Sequence, residues 1–139
     1  MTLKRAIRDS KGTAKLIAPK FIGSSKYNTA NNVYSFLRNK MTYKAESKNL
    51  QSARSLKRML YDPKSKIGDC KHYTIFCCSI LDSLGIPVKM RLISQNVLDR
   101  DPTHIYCVAI INGKEVIVDP CMRSFDNEAI YFYKYNLNI

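Results

Sequence analysis

Gly68-Asp69-Cys70-Lys71-His72-Tyr73-Thr74-Ile75-Phe76-Cys77-Cys78-Ser79-Ile80-Leu81-Asp82-Ser83-Leu84-Gly85-Ile86-Pro87 is the stretch on which the reading of the fold turns. From Cys70 to Leu84 its apolar residues recur with a helical period, and Gly85-Ile86-Pro87 ends the pattern. A cysteine on the first turn of a helix lies among unpaired backbone N–H groups and at the positive end of the helix dipole. Both favour the thiolate. The stretch therefore predicts a helix with a candidate nucleophile at its start, and the search passes to a base and to a residue that orients the base.

Downstream, Val88 to Ser94 reads as a strand and Gln95 to Thr103 as a polar loop. His104 to Ile111 and Lys114 to Asp119 flank Asn112-Gly113, a pair suited to a type I′ turn, so they predict a hairpin that Pro120 closes. With Ile111 opposite Lys114, Tyr106 falls opposite Asp119, and His104 lies diagonally from Asp119 at roughly 7–8 Å. Alternation puts His104, Tyr106, Asp119 and Cys121 on one sheet face. A helix packed on that face makes Cys70 the nucleophile, His104 the general base and Asp119 the residue that fixes the tautomer of His104. The N–H of Cys70 is then one oxyanion donor.

Each residue alone has an ordinary reading: a small buried hydrophobe, a strand-end histidine, a strand-ending Asp-Pro. The three together, in this order, do not. His72 follows Cys70 by two positions and points away from it on a helix. Cys70, His72, Cys77 and Cys78 contain no CxxC pair and have no second cluster, so neither a metal nor any other cofactor is expected.

Upstream, residues 1–28 are basic and broken by Gly12, Pro19 and Gly23-Ser24-Ser25, and they read as a poorly packed N-terminal arm with one short helix. A domain spanning 29–139 follows. Thr29 or Asn31 caps a helix with Val33, Phe36 and Leu37 on one face, and Met41 to Lys44 leaves it as an extended piece. Ser52 to Tyr61 reads as another helix, stopped by Asp62-Pro63. Helices followed by an antiparallel sheet, with a tail strand at Tyr131–Tyr135, indicate the α+β class.

The charge is divided along the chain. The net charge of +12 comes entirely from residues 1–69, which hold 16 Lys/Arg against 4 Asp/Glu; residues 70–139 hold 7 of each. An excess of that kind suits a nucleic acid, an acidic protein surface or a phospholipid surface, and equally a solvated surface. Five cysteines, an odd number with two adjacent, argue against a disulfide framework and for a reducing, cytoplasmic setting. Apolar runs are strand-sized, and no apolar stretch follows the basic start, so neither a membrane span nor a signal peptide is expected.

At Gly68-Asp69-Cys70, Leu84-Gly85-Ile86-Pro87, His104-Ile105-Tyr106 and Val118-Asp119-Pro120 the chain resembles the transglutaminase-like branch of the papain-like thiol enzymes over residues 30 to 125. The resemblance implies a catalytic helix packed on a small antiparallel sheet, with Cys70, His104 and Asp119 as a catalytic triad. It also implies acyl transfer from a peptide or isopeptide amide to water or to an amine. Many relatives place a tryptophan upstream of the cysteine to assist the oxyanion, and this chain has none. Gln51 is the substitute, with Asn49 second. The tail from Arg123 to Glu128, with Tyr133-Lys134-Tyr135, is similar to short transglutaminase-like proteins of tailed bacteriophages, which implies a virion-associated location within a larger viral assembly. The alternative function is structural: the fold reused in assembly, docked through its basic first half.

Overall fold

The computed structural model describes residues 3–40, 42–43, 67–68 and 70–139. The helix expected at Ser52–Tyr61 lies outside these residues. Within them the order is α1 (Leu3–Asp9), α2 (Lys11–Ile17), a 3-10 turn (Ala18–Phe21), α3 (Lys26–Lys40), β1 (Thr42–Tyr43), β2 (Ile67–Gly68), α4 (Cys70–Ser83), β3 (Val88–Ser94), β4 (His104–Ile111), β5 (Lys114–Val118) and β6 (Tyr133–Asn138). β1 and β2 form a short parallel pair, and the other four strands form an antiparallel sheet in the order β5-β4-β3-β6. The fold is α+β. No helix among the described residues is long and apolar enough to cross a membrane.

α4 is the centre of the molecule. Every residue from His72 to Leu81 is buried, because the helix is covered on one side by the sheet and on the other by α1–α3. Burying Ile75, Phe76, Ile80 and Leu81 contributes about 1.5–3 kcal/mol for each side chain. Phe76 stacks on Phe36 with ring centroids 5.5 Å apart and meets Phe21 edge-on at 6.0 Å. The helix stops where the sequence says it must. Ile86 N–H bonds to Leu81 C=O and Gly85 N–H to Asp82 C=O, both at 3.0 Å, with Gly85 at φ 76°. This is a Schellman closure, and it needs a residue free to adopt left-handed backbone.

The hairpin has the expected register, with Ile111 opposite Lys114 and positive φ at Asn112 and Gly113. The face that receives α4 differs from expectation. α4 packs on Ile105, Cys107, Ala109, Val116 and Val118, whereas Tyr106, Val108 and Ile117 point to the opposite face with Ile93, under Ala129 and Tyr131. Both faces of β4 are apolar, so alternation fixed the two sets but not which of them the helix covers. The tail strand also lies later than expected, at Tyr133–Asn138 against β3.

Two upstream expectations are corrected as well. Where residues 1–28 are expected to form a poorly packed arm, the described residues Ala6, Ile7, Ala14, Ala18 and Phe21 are buried against the same core. Small residues at helical spacing supply a close-packing face that a count of charges hides. α3 starts at Lys26, where Ser25 Oγ accepts the Asn28 N–H at 3.0 Å as an N-cap. Thr29, one of the two caps expected, instead accepts the Gly23 N–H at 2.9 Å.

Candidate active site

Cys70 is the first residue of α4 and is half-buried. Its carbonyl accepts the Thr74 hydroxyl at 2.7 Å, which fixes the first turn of the helix. Cys77, Cys78 and Cys107 are wholly buried, and burial pushes the thiols of Cys77 and Cys107 well up. Of the five thiols only Cys70 and Cys121 reach the surface. A position among unpaired N–H groups belongs to Cys70 alone.

His104 opens β4, and Asp119 stands immediately after β5, so both lie at the end of the sheet. His104 Nε2 and Asp119 Oδ2 are 2.7 Å apart. The ring also lies close enough to the Cys70 thiol for the thiol to raise its pKa. The structure therefore brings Cys70, His104 and Asp119 together. They meet beyond the last β4–β5 pair, Cys107 with Val118, at the end of the sheet next to the first residue of α4. Burial on its own would lower the His104 pKa. The hydrogen bonds to Asp119 and Cys70, together with their charges, outweigh it and hold the pKa at about 9. An imidazole oriented by a carboxylate and lying beside a thiol is placed to exchange a proton with it.

Asp119 is 2% exposed and is oriented on both sides. Its Oδ1 accepts the Cys121 N–H at 3.1 Å, and its carbonyl accepts the Met122 N–H at 2.9 Å, closing the 119–122 turn. α3 clamps this turn. Tyr34 donates its hydroxyl to the Met122 carbonyl at 2.6 Å, and Arg38 donates to the Pro120 carbonyl at 3.2 Å. Sequence reasoning missed both residues. They look like ordinary members of an amphipathic helix, and 88 and 82 positions separate them from their acceptors. Gln51, the oxyanion candidate, lies outside the described residues.

Cys121 is a further arrival. Its side chain packs against the helix-side core and not with Tyr106. One donor atom each from His104, Asp119 and Cys121 lie within 4.8 Å of one another. Tyr106 belongs to a separate polar cluster, in which its hydroxyl and Arg91 Nη1 both donate to Glu128 Oε2, at 2.5 and 2.6 Å. The cluster adjoins the site where the Tyr106 and His104 rings lie 5.4 Å apart.

Comparison with known proteins agrees with this fold. Residues 17–129 match the transglutaminase-like superfamily. Among solved structures, a candidate protease from Parabacteroides distasonis superposes with a TM-score of 0.69 at 16% identity, covering 88% of this chain and 25% of that one. A candidate cysteine protease from Cytophaga hutchinsonii gives 0.61 at 19% identity, over 79% of this chain and 37% of that one. A TGase gives 0.52 at 16% identity, over 94% and 34%. The chain thus spans about a quarter to a third of the length of these proteins, and at such identities the likeness is one of fold. No curated protein matches the chain in sequence. The sequence match, extending over most of the chain and enclosing Cys70, His104 and Asp119, places this protein in the transglutaminase-like superfamily.

Proposed function

We propose that the protein is a cysteine-dependent acyl-transfer enzyme acting on a peptide or isopeptide amide, with Cys70 as nucleophile, His104 as acid and base and Asp119 as orienting residue. The observation that carries this reading is the imidazole of His104, joined to Asp119 at 2.7 Å and lying beside the thiol at the start of α4. The Cys70 thiolate attacks the amide carbon to form a C–S bond. The carbonyl electron pair moves to oxygen, where the Cys70 N–H donates to it. As the carbonyl re-forms, the C–N bond breaks and the amine leaves with the proton from His104. A thioester remains. Water or a second amine then gives a proton to His104 and its lone pair to the thioester carbon, and Cys70 leaves as thiolate. Gln51 is proposed as a second oxyanion donor.

Mass-spectrometric mapping of iodoacetamide alkylation near pH 6 tests the nucleophile, since a thiolate and not a thiol is alkylated. Cys70 is expected to be labelled at least tenfold faster than Cys121, and His104→Ala to remove most of the difference. Equal rates at Cys70 and Cys121 in the wild-type protein overturn the reading. Turnover of an activated acyl ester separates the remaining roles. Asp119→Asn is expected to slow it by about 10²–10⁴. Gln51→Ala is expected to slow it by about 10²–10³ while leaving alkylation of Cys70 unchanged.

A second reading has its own observation. Lys4, Arg5, Arg8, Lys11, Lys15 and Lys20 are all exposed along α1, α2 and the 3-10 turn. We propose that this basic surface docks the protein on an acidic assembly partner or nucleic acid, the setting in which a virion role would fit. It predicts DNA binding that falls steeply with salt and survives Cys70→Ala. A shallow salt slope counts against it.

A further inference from the structure

Cys121 has no part in the acyl-transfer steps above, yet its thiol stands beside His104 and Asp119. Donor atoms of His104, Asp119 and Cys121 lie within 4.8 Å of one another. An imidazole nitrogen, a carboxylate oxygen and a thiolate sulfur are the mixed donor set that a borderline-soft divalent cation takes, and three protein ligands with a fourth position open is a common zinc arrangement. The set is held in place by its surroundings. Asp119 is buried, Cys121 is tied to it through its own N–H, and α3 fixes the turn that carries both, through Tyr34 and Arg38. His104 and Cys121 are each part-exposed, so an ion can enter from the surface.

We propose that Cys121, His104 and Asp119 form a binding site for a thiophilic divalent cation, Zn²⁺ or a close relative, whose occupation switches the Cys70 centre off. Nε2 and Oδ2, now 2.7 Å apart, are joined by a hydrogen bond. Two ligands of a tetrahedral zinc ion at about 2.0–2.2 Å stand somewhat further apart than that, so a small opening of the pair admits the ion. The metal and the shared proton then compete for the same atoms. The ion binds neutral imidazole and thiolate, so its entry releases the ring proton and the Cys121 thiol proton to solvent. His104 then has no proton to share with Cys70 or to give to the leaving amine. Cys121 is what distinguishes this site from a generic reaction of zinc with a Cys–His pair: the sulfur ligand is the second thiol and not the nucleophile.

Binding itself does not depend on the acyl-transfer reading; the inhibition does. The full chain is titrated with Zn²⁺ against a chromophoric chelator, and with Co²⁺ to observe the sulfur-to-metal charge-transfer band, in wild type, Cys121→Ser and Cys70→Ser. Cys121→Ser is expected to weaken Zn²⁺ binding at least tenfold and to abolish the Co²⁺ band, with Cys70→Ser retaining both. Equal affinity in wild type and Cys121→Ser overturns the proposal, as does a band lost only in Cys70→Ser. Circular dichroism of Cys121→Ser shows whether it is folded, and Cys121→Ala gives the same comparison if it is not. Alkylation of Cys70 with and without Zn²⁺ completes the test. Cys70 that is rapidly alkylated but indifferent to Zn²⁺ sinks the switch and leaves the acyl-transfer reading standing. Zn²⁺ bound through Cys121 in a protein whose Cys70 is alkylated no faster than Cys121 in the metal-free state leaves the site standing and sinks the acyl-transfer reading, and with it the switch.

Discussion

His104 gains a carboxylate and a thiol as partners on folding, and its pKa rises from 6.5 to about 9. A histidine shifted upward adds stability that is present in full below its unfolded value and is lost as pH climbs through the folded value. Wild-type stability is therefore expected to fall between about pH 6.5 and about pH 9, by on the order of 1–3 kcal/mol. His104→Gln is expected to flatten that part of the curve. Urea denaturation in metal-free buffer across the window checks it, and an unchanged slope in the variant would show that His104 is not the titrating group. Tyr34→Phe removes only the hydroxyl that holds the Met122 carbonyl. It is expected to cost about 1 kcal/mol and to lower the pH-6 alkylation advantage of Cys70 without abolishing it. Rescue of that advantage by Tyr34→His, but not by Tyr34→Leu, would mark a positioning role and not a packing one.

At the scale of elements, the features legible in the sequence were those whose cause is local. The Asn112-Gly113 turn and the Gly85 stop each depend on a few neighbouring residues and on the steric freedom of left-handed backbone, so the register of the hairpin and the end of α4 could both be read from the sequence. Gly85→Ala forces a Cβ into a φ of 76°, although among the described residues no heavy atom beyond Gly85 and its chain neighbours lies within 4 Å of the position it would occupy. The cost is thus conformational, about 1–2 kcal/mol, and is expected as a lower thermal midpoint with alkylation of Cys70 unchanged. The start of α3 was misread, although its cause is just as local. Ser25 is one of several residues there able to cap, and the choice among Ser25, Thr29 and Asn31 follows from which Oγ or Oδ meets a helical N–H once the chain is folded.

At the scale of the whole molecule, the packing of α1, α2 and the 3-10 turn on α4 makes the basic first segment part of the core. Deleting residues 1–24 strips Ile7, Ala14 and Phe21 from the buried side of α4. The truncated chain is expected to lose its cooperative thermal transition. A truncated protein that still melts cooperatively within a few degrees of the wild type would return the segment to the status of an arm. The outer face of the sheet carries a second device. Arg91 is 1% exposed and is paired with Glu115 and Glu128, each at 2.6 Å, and its Nε donates to Asn136 at 2.8 Å. Arg91→Ala leaves two carboxylates without their shared cation and opens a cavity, at an expected cost on the order of 3 kcal/mol in urea denaturation.

By itself the sequence determined that a helix begins at Cys70 and ends before Gly85, that β4 and β5 form a two-residue hairpin in one register, and that His104 and Asp119 lie at the same end of that hairpin. Each of these follows from local backbone preferences and from the two-residue period of a strand. The tertiary structure decided which apolar face of the sheet α4 covers, that residues 3–21 join the core, that Tyr34 and Arg38 hold the Asp119 turn, and that Cys121 stands beside His104. These are contacts between residues far apart in the chain, selected by how whole surfaces pack, and no spacing along the sequence encodes which of two apolar faces will be covered.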